Sequence, residues 1–216
     1  MKPIEPAEIL EAASYERLRP EMRRRILVLK GKRRVPIGSN ATLHFETRET
    51  MLYQVHEMLR AESSWTRPGA VEAELEAYNP LVPAGRELSA TLMIEVESPE
   101  ERALKLTRLL GLERHIWIEV GGLPRLGATL DAAQIAPTRL SSVQHLKWKL
   151  TDEHVALVRQ AGTVLKIVVD HPEYAAVAVL SEETRQELAA DQSASEGGDP
   201  RFSRSTCRVA SAQVWP

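Results

Sequence analysis

The 216-residue chain has a single cysteine, Cys207, close to its end. A disulfide framework, a cysteine-ligated zinc site and a self-contained iron–sulfur cluster are thereby excluded, because each needs several thiolates. One thiol is compatible with a reducing cytoplasm, which is the expected compartment. Aromatic residues are scarce, at 5% of the chain, so the core must be aliphatic. Neither sign of charge dominates: 28 Lys and Arg against 30 Asp and Glu leave a net charge of −2. The chain as a whole is therefore not charged like a nucleic-acid binder. No run approaches the roughly 20 apolar residues of a membrane span. The opening "MKPIEPAEIL" lacks an apolar core of signal-peptide length. A Gly-rich phosphate loop, a dinucleotide fingerprint and a Gly-x-Ser-x-Gly elbow are all missing. "GGLPRLG" leads from a strand into a strand-like run, and reads as a turn.

What is present is patterning. Residues 5 to 34 read as helical with interruptions, and Pro20 suits a first-turn position, where its missing N–H has no helical partner to lose. The segment is basic. Arg23, Arg24, Arg25, Lys32, Arg33 and Arg34 are its candidate partner-binding residues, either a solvated helix face or a surface for an anionic partner. "ATLHFE" alternates with period two, placing Leu43 and Phe45 on one face and Thr42, His44 and Glu46 on the other. In the helix that follows, Met51, Leu52, Val55, Met58 and Leu59 form an apolar stripe. His56, Glu57 and Arg60 lie away from that stripe, on the expected wet side, and Gln54 flanks it. Glu62 projects towards the stripe in the last turn. A buried carboxylate there needs compensation. The helix can end in time for it to reach solvent, an arginine such as Arg48 can pair with it, or a metal can bind it together with Glu46 or His44.

A second helix spans about Pro68 to Tyr78. The remainder repeats one pattern twice: strand, helix, strand, turn, strand. "ELSATLMIEV" opens the first copy, Ser98-Pro99-Glu100-Glu101 starts its helix as a capping box with proline at the first position, and Gly111 ends that helix. "VQHLKWKL" opens the second, Thr151 caps its helix, and "VLKIVV" and "YAAVAVL" are joined by "DHPE". In this joint Asp170 is expected to accept hydrogen bonds from turn amides and His171 is pushed extended by the following proline. The expected fold is α+β: a mainly antiparallel or mixed sheet with helices packed against it, as a single domain over residues 1–190. Residues 191–216 are rich in small polar residues and read as a disordered tail. Cys207 is incidental there, or Val214 and Trp215 dock.

"YERLRPEMRRRILVLKGKRRVPIG", "FETRETMLYQVHEMLRAE", "ELEAYNPLVPAGRELSATLMIE" and "VDHPEY" together resemble the bacterial family catalogued as domain of unknown function 3501. The resemblance covers roughly residues 3 to 190 and carries no established activity. It implies a setting, since members tend to be encoded beside rubrerythrin-like di-iron proteins and iron–sulfur oxidoreductase subunits. The implied role is accessory, in redox or peroxide handling. The family pattern has a histidine where this chain has Gln144, next to His145, which puts a ligand role for that strand in doubt. Three functions follow. The first is an accessory protein that binds a redox partner. The second is a metal-binding protein or metal-dependent enzyme with Glu46, Glu57, Glu62, His44 and His171 as ligands, which would suit iron or manganese. The third is an RNA-binding module, which lacks a stacking platform. No cofactor is evident from the sequence.

Overall fold

The computed structural model describes residues 1–130 and 138–194. Along these residues run α1 (Ala12–Lys32), β1 (Arg34–Ile37), β2 (Ala41–Phe45), α2 (Arg48–Ala61), α3 (Ala70–Tyr78), β3 (Glu87–Ile94) and α4 (Pro99–Arg108). Then come β4 (Ile116–Val120), β5 (Leu126–Gly127), β6 (Val143–Lys149), α5 (Asp152–Arg159), β7 (Leu165–His171), β8 (Tyr174–Val179) and α6 (Glu182–Ala194). The strands form two antiparallel four-stranded sheets, β1-β2-β3-β6 (sheet A) and β5-β4-β7-β8 (sheet B). The fold is α+β, as expected.

The two sheets meet along both edges. Thr129 and Lys147 exchange backbone hydrogen bonds of 2.8 and 2.9 Å where β5 ends beside β6. At the other seam the Tyr174 hydroxyl, on β8, donates to the carbonyl of Ile37 and accepts from the Asn40 N–H at 3.2 Å. The strands thus run in the order β6-β3-β2-β1-β8-β7-β4-β5, and a backbone bridge at the β5–β6 seam with a side-chain contact at the β1–β8 seam encloses one core. Alternation fills it: Leu43 and Phe45, Leu88 to Ile94 on even numbers, Leu146 and Trp148, Ile116 to Val120, and Leu165 to Val169 point inward. Leu106, Val155, Val158 and Leu188 add helical side chains to the same core. A smaller apolar cluster joins Met51, Val55 and Leu59 of α2 to Leu75 of α3 and to Ile4.

The repeat is visible in the topology. β3-α4-β4-β5 and β6-α5-β7-β8 each send their first strand to sheet A and the other two to sheet B. Their first strands pair antiparallel with each other, and so do β4 and β7. The β1–β2 hairpin sits between β3 and β8, where the second copy would otherwise close directly.

Local signals hold at most ends. Ser98 and Thr151 accept from the N–H groups of Glu101 and His154, and Pro99 sits at the first position of α4. β7 and β8 are neighbouring antiparallel strands with His171 opposite Tyr174, so "DHPE" is the hairpin connection. Three local expectations are corrected. Pro20 does not open a helix but lies inside a continuous α1, on its exposed side. There the hydrogen bond it lacks can be made good by water. β1 follows α1 directly, so Arg34 belongs to a strand. α6 continues past residue 190 to Ala194, with Asp191 and Gln192 buried. The remainder of the expected tail, with Cys207, Val214 and Trp215, lies outside the described residues.

Candidate functional site

The outer face of sheet A gathers polar groups that the strand alternation turns away from the core. His44 on β2, Thr91 on β3 and His145 on β6 are register partners in one row across the sheet. Glu46, just beyond β2, donates its backbone N–H to Ser89 at 2.8 Å. Its buried carboxylate accepts two hydroxyl hydrogen bonds, from Thr50 at 2.6 Å and from Thr91 at 2.8 Å. Because the Thr91 proton points at Glu46, His145 Nδ1, 3.3 Å from the Thr91 oxygen, is the donor to it. The result is a relay from imidazole through hydroxyl to carboxylate. Burial pushes the His44 and His145 pKa values down, and the negative charge of Glu46 partly opposes this in both.

Among the described residues no group of three His, Cys, Asp or Glu is placed to hold a metal ion.

The other expected ligands are scattered. His56 is not on a wet side: it is buried, stacked on Tyr15 at 4.7 Å. Its Nε2 accepts from the Leu10 N–H at 2.9 Å, and its Nδ1 lies 2.7 Å from the Leu52 carbonyl. Glu57 accepts from the Tyr15 hydroxyl at 2.5 Å and from Arg19 at 2.7 and 2.9 Å. The Arg19 hydrogen bond is the main reason its pKa falls to about 2. α1 packs over the side of α2 that lies away from its apolar stripe. Glu62 caps the end of α2, is exposed, and pairs with Arg67 at 3.2 Å, not with Arg48. Arg48 instead binds the carbonyls of Lys2 and Pro3 and the carboxylate of Glu8. Gln54 is half-buried. His171 is buried too, with Nε2 on the Leu110 carbonyl at 3.1 Å and Nδ1 accepting from the Glu173 N–H at 3.2 Å. Neither nitrogen is left for a metal.

His56 makes one consequence measurable. Burial lowers its pKa below 6.5, so the unfolded chain takes up the proton more readily than the folded one. Its contribution is complete above pH 6.5 and is lost as the pH falls below that value; His44 and His145 share the direction. Urea midpoints should fall between pH 7 and 5, and less steeply in His56→Phe. Equal slopes in the two proteins would remove His56 from this account.

Asp170 accepts no turn amide. Its carboxylate takes the Trp117 indole N–H and His115 Nδ1, both at 3.0 Å, and pairs with Arg125 at 3.0 Å. The Trp117 hydrogen bond leads in holding its pKa down. Arg125 lies over the Trp117 ring at 4.2 Å. Sequence reading missed this cluster, and also Thr50, Thr91 and the position of His145. Strand parity puts Thr91, Trp117, His145 and Asp170 on outer faces, but only the pairing register shows which of them meet.

The basic segment separates into two populations. Arg33, only 1% exposed, is bound by Asp191 at 2.7 Å and Glu187 at 3.1 Å, so it is corrected from partner-binding to internal. Lys32 lies near Glu183 and Glu187, Arg34 is 4.0 Å from Glu95, and Arg25 pairs with Glu49 at 2.6 Å. Arg17, Arg23 and Arg24 are exposed and make no hydrogen bond or ion pair with the described residues. At 100° per residue, Arg17, Arg24 and Val28 line the outward side of α1, opposite buried Tyr15 and Ile26. Leu27 and Val28 are 59% and 64% exposed there.

Residues 3–192 match the family model described as Protein of unknown function (DUF3501). The chain belongs to this family. No curated protein matches it. A crystal structure of a novel protein of unknown function from Burkholderia pseudomallei K96243 is similar to this DUF3501 chain. The two share 34% identity and a TM-score of 0.81, over 88% of this chain and 99% of the other. Among the described residues of this DUF3501 protein, no helix is long and apolar enough to cross a membrane.

Proposed function

We propose that the protein is an accessory subunit that docks an acidic partner protein on the outward face of α1. The observation that carries this reading is the pair Leu27 and Val28, exposed beside Arg17, Arg23 and Arg24, which bond to no anion among the described residues. Exposed aliphatic side chains beside such cations suit a contact in which charge steers the encounter and apolar burial holds it. Arg25 and Lys32, by contrast, already pair with Glu49, Glu183 and Glu187. The gene setting implied by the family resemblance makes the partner class a rubrerythrin-like di-iron protein or an iron–sulfur oxidoreductase subunit, and the process redox or peroxide handling in the cytoplasm.

The test uses those two proteins in purified form. Binding should weaken as ionic strength rises. Reversing Arg17, Arg23 and Arg24 to glutamate should weaken it about tenfold or more at low salt, with unchanged folding. Absence of binding to either protein, or binding indifferent to the triple reversal, sinks the proposal.

A further inference from the structure

Residues 138–142, which lead into β6, and one side of α4 border a cleft of about 660 Å³. That volume suits a small organic molecule. The two walls are tied to each other, because the Leu140 N–H donates to the Leu106 carbonyl at 3.1 Å. The cleft is therefore held in shape by the fold. Leu106 and Leu140 are 4% and 3% exposed and give it an apolar floor. Each wall also contributes a cation, Arg102 from α4 and Arg139 from the facing segment.

We infer that this cleft binds a small organic anion, with its head group on the two arginines and its apolar body on Leu106 and Leu140. Three observations select that ligand class. First, neither guanidinium is neutralised by a carboxylate among the described residues, whereas Arg48, Arg67, Arg86, Arg125 and Arg185 each hold one. Arg139 is exposed and makes no hydrogen bond or ion pair with the described residues. Second, Arg102 is already oriented. It donates to the Val96 carbonyl at 2.9 Å and to the Glu97 carbonyl at 3.2 Å. A guanidinium has five N–H donors, so N–H groups remain for a ligand, and two neutral carbonyls leave its charge in place. A cation fixed before the ligand arrives has little ordering left to do. The Ser141 hydroxyl accepts from the Val143 N–H at 3.2 Å and keeps its own proton to donate. Third, the surroundings bound the ligand's size and charge. An adjoining cleft shares Arg102 and Ser142, and Glu95, Glu97 and Glu101 line it. A polyanion long enough to pass Arg102 would meet those carboxylates, which selects against nucleic acid and polyphosphate. One anionic head on a compact apolar body meets only the arginines and the leucines.

Phenyl phosphate, titrated into the full chain to about 10 mM, tests this through the methyl resonances of Leu106 and Leu140. The expected result is saturable shifts with a dissociation constant on the order of 1 mM, as befits so small a ligand. Benzyl alcohol has the apolar body without the charge, and inorganic phosphate has the charge without the body. Each should bind about tenfold or more weakly than phenyl phosphate. Arg139→Gln should weaken phenyl phosphate about tenfold, with circular dichroism as the check on folding. Arg102→Gln repeats the measurement should Arg139→Gln fold poorly. No saturation by about 10 mM overturns the inference. So does either control binding as tightly as phenyl phosphate, or binding unchanged in the folded arginine variant. Because no α1 residue is involved, its failure leaves the partner-docking reading standing, and the reverse.

Discussion

Arg33→Met is expected to lower the unfolding free energy by about 3–5 kcal/mol. Arg33 lies between α1 and β1, and its guanidinium holds Asp191 through two hydrogen bonds of 2.7 and 2.9 Å. It also reaches the Glu187 carboxylate at 3.1 Å and the Glu187 carbonyl at 3.3 Å. Both members of the Arg33–Asp191 pair are almost fully removed from water. Deleting the cation leaves the Asp191 carboxylate in a low-dielectric site without the charge that compensates its desolvation, which is where single deletions of buried pairs are most damaging. Arg33→Met combined with Asp191→Leu removes both charges and should recover most of the loss. Urea unfolding of the three proteins measures this directly. A single variant within about 0.5 kcal/mol of the parent, the range of ordinary surface changes, would show that the pair is not what anchors α6.

The second large effect is at Glu46. In Glu46→Gln the two threonine hydroxyls lose a charged acceptor, at a cost of about 1–3 kcal/mol. A second readout separates electrostatics from packing. The Glu46 charge raises the pKa values of His44 and His145 against the larger effect of burial. Without it, both midpoints, already below 6.5, should move lower still. Imidazole proton resonances followed through a pH titration would report each ring. If stability falls but neither midpoint moves, Glu46 is a structural acceptor only, and the relay through Thr91 carries no charge coupling to the histidines.

Much of the fold was legible because it is written in short-range patterns. Alternation in "ELSATLMIEV" puts Leu88, Ala90, Leu92 and Ile94 on one face, which is the buried face of β3, and Ser98-Pro99 and Thr151 mark the starts of α4 and α5. The twofold strand–helix–strand–strand order was readable for the same reason. The sites were not, because they depend on which distant elements meet. Glu46, Thr91 and His145 come from three segments brought together by the register of sheet A. His56 and Glu57 looked solvated because one helix shows one apolar stripe. The stacked ring of Tyr15 and the guanidinium of Arg19, on a different helix, use a polar side chain's carbon face and hydrogen bonds, which a hydrophobicity pattern does not register. Arg33 and Asp191 are 158 positions apart, so nothing local distinguished Arg33 from the solvated arginines beside it.

The seam between β1 and β8 has a consequence for synthesis. The hydroxyl that closes it belongs to Tyr174, and its acceptor is the carbonyl of Ile37, a separation of 137 positions. The β1–β2 hairpin leaves the ribosome well before β8, the strand beside its free edge. Closure is a contact of high sequence separation, and such contacts slow folding. Until β8 arrives, β1 is an open strand edge, the kind of template that invites pairing with another chain. The nascent protein therefore passes through a window in which prompt synthesis of the second copy of the repeat, and with it Tyr174, protects the β1 edge from aggregation.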